Sequence, residues 1–432
     1  MFVLEGDEWR RLRKTLRESF KIQRLDTLSR DVTSCAIALS NRLQEFADSQ
    51  DPVDMNLAFA QYHLASIGKS SFDFDFNALQ KFPASDEISE AFEFLLNELP
   101  RRSFHPDASI REDYVTQNED NIKWQRAANS VRKVINKAIF QRLEDQSRYD
   151  WEQRGDLLDS MITSYKNSES SDKPELQMDN FKNAETLTQA LGDNLVEIFF
   201  AGFGTSVVSM CVSLYHLASN PRLMRQAHEE VDSVIPEDLQ IGAALSAKNF
   251  PFLCRVFLES LRLTPPAPLG ARLLTEDIRF NNVKIPTGTV TWVPIEFLHK
   301  DPQTWGSNVE AFDPSRFEKP IIPGSFIPFH TGARDCIGRH FAELESVVAL
   351  AVLLKTYDFE VDPAFAFTPL FTGFGTRVSN GVNKKVCLNL LPRRRTNISA
   401  FIYDWTPAKL KKQYIENYED EEENVGTKLY FH

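Results

Sequence analysis

The stretch FIPFHTGARDCIGRHFAELE, residues 326–345, places a single cysteine, Cys336, just ahead of a predicted helix. A helix N-terminus and a nearby cation, here Arg334, both stabilise a thiolate. The glycines Gly332 and Gly338 on either side of the cysteine let the backbone approach a large flat partner. The pattern therefore predicts a thiol with a lowered pKa that acts as an anionic metal ligand.

Two other interpretations of Cys336 follow from the residue alone. A lone cysteine in a mixed sequence is most often a small, buried, apolar side chain. His330 and His340 flank the cysteine and suggest zinc, but structural zinc takes about four ligands at regular spacings, and the sequence has no second cluster of such residues. The choice among these interpretations depends on the residues around the cysteine.

Those residues match a longer pattern, F-x-x-G-x-R-x-C-x-G, which is met by Phe329, Gly332, Arg334, Cys336 and Gly338. The loop resembles the haem-ligand loop of the cytochrome P-450 superfamily. The resemblance implies haem b as the cofactor and Cys336 as the axial ligand of the haem iron. It also implies that Phe329, Arg334 and Gly338 belong to the cofactor site.

Upstream of the loop, the predicted helix sequence FLESLRL contains Glu259 and Arg262. An acid and a base three residues apart are common on helix surfaces. Here they precede two prolines and the segment FDPSRF with Arg316, as in the E-x-x-R helix of the same superfamily. The resemblance implies that the three residues form a buried ion network that braces the cysteine loop.

A long predicted helix contains AGFGTS at residues 201–206. Two glycines inside a helix cost about 1 kcal/mol each relative to alanine, so the segment indicates either close helix packing or a local opening above the haem. It resembles the family's A-G-x-(D/E)-T-(T/S), which implies haem contacts by Ala201 and Gly202. The resemblance makes Thr205 the catalytic residue that hydrogen-bonds dioxygen and relays protons. The usual acid is replaced by Gly204, which leaves the proton source open.

Haem propionates need cations, and arginine suits them because it can bind a carboxylate through two hydrogen bonds. Trp9 and Arg13 match the W-x-x-x-R of the family's third long helix, and their spacing puts both on one helix face. Arg272 in PLGAR matches another propionate-binding position, and Arg334 is the third cation. A solvated basic helix is the alternative for Arg13, because other basic residues surround it.

The resemblance assigns a substrate pocket more loosely, to Phe199, Phe203, Leu269 and Phe371. Phe371 belongs to PLFTGFG, residues 369–375, which we predict as a loop. The apolar character of these positions implies a hydrophobic substrate such as a fatty acid, a terpenoid or a sterol.

The composition is that of an ordinary folded protein. The chain has 432 residues, of which 42% are hydrophobic and 25% charged, and this length is within reach of one large core. The net charge of -12 argues against a nucleic-acid partner, which would need a basic face. Five scattered cysteines without a C-x-x-C pair indicate a reducing compartment.

Helical periodicity dominates, and the predicted fold class is mostly α with minor β, which the resemblance makes the cytochrome P-450 fold. Helices are predicted over residues 9–20, 31–46, 121–143, Ala184–Ala218, Pro221–Val234 and 250–263. Strands are predicted around a hairpin turned at Asn281 and Asn282 and again at residues 384–392. We expect a surface loop at residues 167–180, a haem-thiolate domain over residues 1–395 and a polar, acidic tail over residues 396–432.

The sequence opens almost directly on an amphipathic helix. Relative to the family pattern, we expect the N-terminal helices, strands and membrane anchor to be missing. No signal peptide or membrane-spanning helix is predicted, because the most apolar stretch, residues 346–354, is too short to cross a bilayer. The resemblance, to eukaryotic microsomal members, implies the cytosolic face of the endoplasmic reticulum membrane.

The function implied by the resemblance is a monomeric monooxygenase that inserts one oxygen atom of O2 into a hydrophobic substrate. Its electrons would come from an NADPH-dependent reductase. One alternative is a haem-thiolate isomerase or dehydratase acting on a hydroperoxide, which needs no proton relay and is favoured by Gly204. The other is a truncated, non-catalytic haem-binding protein, favoured by the expected loss of the N-terminal region.

Overall fold

The computed structural model describes residues 4–20, 25–85, 87–103, 119–145, 156–168, 184–237, 239, 242–372, 375–383 and 385–395. The predicted tail, residues 396–432, and most of the predicted surface loop at 167–180 lie outside these ranges.

Helices make up most of the described chain. They are α1 (Gly6–Ser19), α2 (Leu25–Ser49), α3 (Met55–Phe72), α4 (Ala78–Lys81), α5 (Glu87–Ser103), α6 (Glu119–Asp145), α7 (Leu157–Ser168), α8 (Ala184–Ala218), α9 (Pro221–Val234), α10 (Pro251–Leu263), α11 (Ile295–His299), α12 (Pro302–Trp305) and α13 (Arg339–Thr356). Short 3-10 helices lie at Ala247–Asn249 and Pro314–Glu318.

The strands form small antiparallel sheets. They are β1 (Val53–Asp54), β2 (Leu269–Leu273), β3 (Ile278–Phe280), β4 (Val283–Ile285), β5 (Val290–Pro294), β6 (Tyr357–Val361), β7 (Phe367–Phe371), β8 (Thr376–Asn380) and β9 (Asn389–Arg394). In the largest sheet, β9 lies between β1 and β6. The other pairs are β2 with β5, β3 with β4 and β7 with β8.

The core is organised around α8, which packs against α3, α6, α10 and α13. Within the described residues, its stretch Leu191–Ala218 is the one helix long and apolar enough to cross a membrane. Most of that stretch is buried inside the fold, as in the core helix of a globular protein. The apolar length of α8 therefore serves the core, where it carries the AGFGTS segment past its neighbours.

The predicted fold class, mostly α with minor β, is confirmed. α8 and α9 have the predicted bounds. The α9 start follows from Asn220, just ahead of Pro221, whose side chain accepts the backbone N–H groups of Arg222 and Leu223. The hairpin turn at Asn281 and Asn282 is also confirmed, since both residues have positive φ and join β3 to β4.

Several elements differ from the sequence-based expectation, among them the unpredicted helices α3, α5 and α7 and the strand β7. The helix α3 was not predicted, because almost all of its residues are buried and the amphipathic period is lost. The predicted loop at 369–375 is wrong for its first residues, which lie in strand β7. Pairing with β8 supplies the backbone hydrogen bonds that a loop would lack.

Candidate haem-thiolate site

The cysteine loop is held by its own backbone. The Cys336 N–H donates to the Phe329 carbonyl at 2.8 Å, and the Asp335 N–H donates to the Gly332 carbonyl at 3.1 Å. Gly332 has a φ of 82°, in the left-handed region that favours glycine. Gly338 caps α13, so Cys336 lies just before the helix, as the sequence predicts.

Cys336 is the only exposed cysteine of the five. Protein atoms packed around its sulfur raise the pKa of the thiol by desolvation. The Gly338 amide and the Arg13 guanidinium oppose this rise. The expected lowered pKa is therefore wrong for the free thiol, because desolvation outweighs the donors. A metal ion bound to the sulfur would displace the proton outright.

Helix α1 is tied to the cysteine loop by the residues predicted for the propionates. The Arg13 Nη1 donates to the Asp335 carbonyl at 2.6 Å, and its Nη2 pairs with the Asp335 carboxylate. The Arg334 guanidinium lies 4.4 Å from the centre of the Trp9 ring, and its Nη2 donates to the Leu4 carbonyl at 2.7 Å. The structure thus brings Trp9, Arg13 and Arg334 together beside Cys336.

The third predicted cation, Arg272, lies on strand β2. Arg272 is exposed, and its Nη1 donates to the Ala271 carbonyl at 2.7 Å. Burial and the Arg272 charge lower the pKa of His330 in the cysteine loop. A Cβ on Gly270 would lie 3.0 Å from the His330 ring, so glycine permits this contact between strand and loop. Arg272 therefore lies near the loop with its side chain free of carboxylate contacts in the described structure.

The E-x-x-R pair forms a fully buried ion pair. Arg262 Nε and Nη2 donate to the two Glu259 carboxylate oxygens at 2.7 and 2.8 Å, with both side chains 0% exposed. Arg316 Nε lies 3.5 Å from the Glu259 carboxylate, and its Nη1 donates to the Trp305 carbonyl. Burial raises the pKa of Glu259, and the Arg262 contact opposes that rise.

A histidine that the sequence did not single out links this network to the cysteine loop. The Arg262 Nη1 donates to the His299 carbonyl at 3.0 Å, and the His299 Nε2 accepts the Ile327 N–H at 2.9 Å. The Ile327 carbonyl in turn accepts the His330 N–H at 2.9 Å. His299 connects elements far apart in sequence, so no local pattern could have revealed it.

The AGFGTS segment presents two different faces. Thr205 is exposed, Ala201 and Gly202 are partly exposed, and the Thr205 hydroxyl donates to the Ala201 carbonyl at 2.7 Å. Phe199 and Phe203 point to the opposite face, as the helical period of 3.6 residues requires.

The pocket assignment of Phe199 and Phe203 therefore needs correction. Each is 1% exposed, and both stack on Phe92 of α5, with ring centres 6.2 and 5.1 Å apart. These rings form an aromatic core layer and are closed off from the Thr205 face. Leu269, partly exposed, and Phe371, 51% exposed, do face open space.

Behind Gly202 lies a buried pair that the sequence did not predict. His63 on α3 places Nδ1 2.9 Å from the Glu345 carboxylate of α13, and both side chains are almost fully buried. The His63 Nε2 has no partner and lies 3.1 Å from the position of a Cβ on Gly202. Close helix packing, one of the two explanations offered for these glycines, therefore accounts for Gly202.

The described residues fit a haem-thiolate cofactor. The exposed cysteine supplies a sulfur donor, three arginines near its loop supply cations, and the helix α8 turns the small residue Ala201 and the hydroxyl of Thr205 toward open space. Among the residues the structure describes, no group of three or more His, Cys, Asp or Glu side chains is placed to hold a metal ion.

Comparison with known proteins gives the same family along most of the chain. The family model described as Cytochrome P450 matches residues 1–382. Cytochrome P450 3A40 of Oryzias latipes is 28% identical over 368 residues, which cover 83% of this chain and 70% of that protein. Cytokinin hydroxylase of Arabidopsis thaliana is 26% identical over 384 residues, which cover 86% of this chain and 68% of that protein. Cytochrome P450 714A2 of the same plant is 34% identical over 182 residues, which cover 41% of this chain and 34% of that protein.

Proposed function

The chain belongs to the cytochrome P450 family, and on that premise we propose that it is a monooxygenase acting on a hydrophobic organic substrate. The observation that carries the proposal is the exposed Cys336 in the loop before α13, inside the segment that matches the family. Haem b, when bound to that thiolate, supplies iron chemistry that activates O2.

Different residues of the chain are proposed to bind different parts of the cofactor. Cys336 would provide the sulfur ligand, and Arg13, Arg272 and Arg334 would provide cations for the propionates. Phe329 and Gly338 shape the loop, and Trp9 orients Arg334 through its ring. On the other side, the small residue Ala201 allows a large flat group to approach α8, and Gly202, whose Cβ side faces His63, is proposed to border that group with its backbone.

Thr205 is the residue we propose for handling protons. Its hydroxyl donates to the Ala201 carbonyl of its own helix, so turning away from that carbonyl frees the donor on the exposed face. Gly204 provides no carboxylate beside it, so the proton must come from water or from a group outside the usual acid position. Leu269 and Phe371 are our proposed pocket residues.

The partners and the location are proposals that rest on the family. We infer electron supply by an NADPH-dependent reductase, action as a monomer and a place at the endoplasmic reticulum membrane. Residues 1–395 are proposed as the haem-thiolate domain, with residues 396–432 as a separate acidic tail.

The experiment that tests the proposal is the carbon monoxide difference spectrum of the reduced, folded protein. Thiolate ligation gives a red-shifted band, and Cys336→Ala should abolish it because no sulfur remains on the iron. Cys254→Ala is the matched control, since Cys254 is the other cysteine that is not fully buried, and it should keep the band. Folded wild-type protein without the band would reject the proposal.

A second candidate function is favoured by Gly204 alone. A haem-thiolate isomerase or dehydratase rearranges a hydroperoxide. Such an enzyme needs no proton relay for O–O cleavage and no reductase. Turnover of a lipid hydroperoxide without NADPH would support it. Turnover that requires NADPH, reductase and O2 would support the monooxygenase.

A further inference from the structure

Three elements meet around the side chain of Arg377, which lies on β8 and is 5% exposed. Its Nη2 donates to the carboxylate of Glu93 on α5. On α8, a Cβ added to Gly204 would lie 3.1 Å from Leu96 Cδ1 and 3.4 Å from Arg377 Nη1. The guanidinium therefore borders the turn of α8 that carries Gly204 and, one residue on, the exposed Thr205.

Arg377 differs from the other described arginines in its unmet donors. Its Nε and Nη1 are both buried without a hydrogen-bond partner, and no other arginine that the structure describes has two such atoms. Arg262, which is 0% exposed, donates to Glu259 and to the carbonyls of His299 and Val309. A buried donor left without a partner costs about 1–3 kcal/mol, so two such donors on one side chain indicate a ligand that meets them.

The chemistry of the missing partner follows from the guanidinium. Planar N–H groups of arginine match the two oxygens of a carboxylate. The same chain shows that one buried guanidinium accepts two carboxylates, because Arg142, 10% exposed, contacts both Asp156 and Asp159. Arg377 contacts one carboxylate in the described structure, that of Glu93.

We propose that Arg377 binds the carboxylate of the substrate, and that the substrates are therefore hydrophobic carboxylic acids. The inference rests on the proposed function and narrows its substrate class. Gly204, whose built Cβ would lie 3.4 Å from Nη1, has no side chain that could meet this donor. An acid held by Arg377 lies beside the turn of α8 that exposes Thr205, which is where the proposed chemistry takes place.

Isothermal titration calorimetry of the haem-loaded protein with dodecanoate, 1-dodecanol and acetate tests this proposal. Dodecanoate should bind about tenfold to hundredfold more tightly than 1-dodecanol, because a charged hydrogen-bonded pair adds to the same apolar contact. Arg377→Gln should reduce the dodecanoate affinity to that of the alcohol. Acetate should bind far more weakly than dodecanoate.

A second variant keeps the test valid if Arg377→Gln fails to fold. Gly204→Asp retains Arg377 and places a carboxylate next to Nη1, so it should weaken dodecanoate binding and leave 1-dodecanol binding unchanged. Equal affinity of the acid and the alcohol in wild type, or an unaltered dodecanoate affinity in Gly204→Asp, would overturn the proposal. Acetate binding as tightly as dodecanoate would also overturn it, in favour of a small-anion site.

The calorimetric result is independent of the proposed reaction. Protein that discriminates the acid but lacks the red-shifted carbon monoxide band would retain the Arg377 site and lose the monooxygenase. Protein that shows the band but binds dodecanoate and 1-dodecanol equally would retain the monooxygenase proposal and lose the Arg377 site.

Discussion

At the residue scale, the His63 ring on α3 packs against Gly202 on α8 and occupies the space that a larger side chain at position 202 would need. Alanine in place of a helix glycine normally stabilises a protein by up to about 1 kcal/mol. At position 202 the added Cβ would lie 3.0 Å from the His63 Cε1, and the Glu345 carboxylate holds the ring from the other side. We therefore expect Gly202→Ala to destabilise the protein by about 1–3 kcal/mol, the usual cost of overpacking. Urea unfolding measures it.

The control for this prediction shortens the histidine. His63→Asn keeps an N–H near Glu345 and removes the distal ring atoms, so Gly202→Ala in that background should cost little or become stabilising. A stabilising Gly202→Ala in the wild-type background would contradict the prediction, since it would mean that the ring yields freely.

Sequence reasoning at this scale succeeded where a residue belongs to a contiguous pattern. Cys336 and its flanking glycines were placed before a helix because their spacing is local, and the structure confirms that placement. The assignment of Phe199 and Phe203 to a substrate pocket did not agree with their burial, because apolarity alone does not distinguish a pocket wall from a core. His63 was missed because its partner, Glu345, is distant in sequence.

At the element scale, the buried pair on α10 holds the segments that precede the cysteine loop. Arg262→Met would leave the Glu259 carboxylate buried without its main partner, and would also remove the donors to the His299 and Val309 carbonyls. We expect a loss of about 3–5 kcal/mol in the free energy of unfolding. Weaker haem retention should accompany it, because His299 continues the connection to Ile327. Denaturant unfolding and the Soret absorbance during gel filtration measure these two effects.

A partly exposed pair with the same spacing provides the control. Arg101 contacts Glu98 three residues earlier on α5 and also Asp120, and the arginine side chain is 38% exposed. Arg101→Met should change the stability by about 1 kcal/mol or less, because solvent screens the pair. Equal losses in Arg101→Met and Arg262→Met would show that burial is not what gives the α10 pair its importance.

Element positions were predictable where amphipathic periods, caps and turn residues are local. α9 begins at Pro221 after a capping asparagine, and the β3–β4 hairpin turns at two asparagines. α3 and β7 were not predicted, because burial on all sides erases the period of the first and long-range pairing defines the second. The predicted ion network was found, but its extension through His299 depends on tertiary contacts.

At the scale of the whole molecule, the buried charges decide how stability responds to acid. His299 and His216 are the two described histidines whose pKa burial lowers to about 4 from an ordinary 6.5. Buried carboxyl groups act in the opposite direction, since burial raises the pKa of Glu259 and Glu230. The net acid response of the wild-type protein therefore mixes both signs, and only a difference between two variants isolates one group.

His299 allows that difference to be measured. Its Nε2 accepts the Ile327 N–H, so the folded protein holds the neutral ring, and protonation would break this link to the cysteine loop. Above pH 6.5 the ring is neutral in both folded and unfolded protein, and its full contribution is present. Between pH 6.5 and about 4 the unfolded chain takes up a proton that the folded protein excludes, so this contribution falls as the pH falls.

His299→Gln tests the sign and the size of this effect. The glutamine oxygen accepts the same N–H but does not titrate. The stability advantage of wild type over the variant should shrink by about 2 kcal/mol between pH 7 and pH 5, since one pKa unit corresponds to about 1.4 kcal/mol. Urea unfolding at the two pH values measures it, and the buried carboxyl groups cancel because both proteins contain them. Parallel stability profiles would mean that His299 has the same pKa in the folded protein as in the unfolded chain, and that accepting the Ile327 N–H adds no measurable stability.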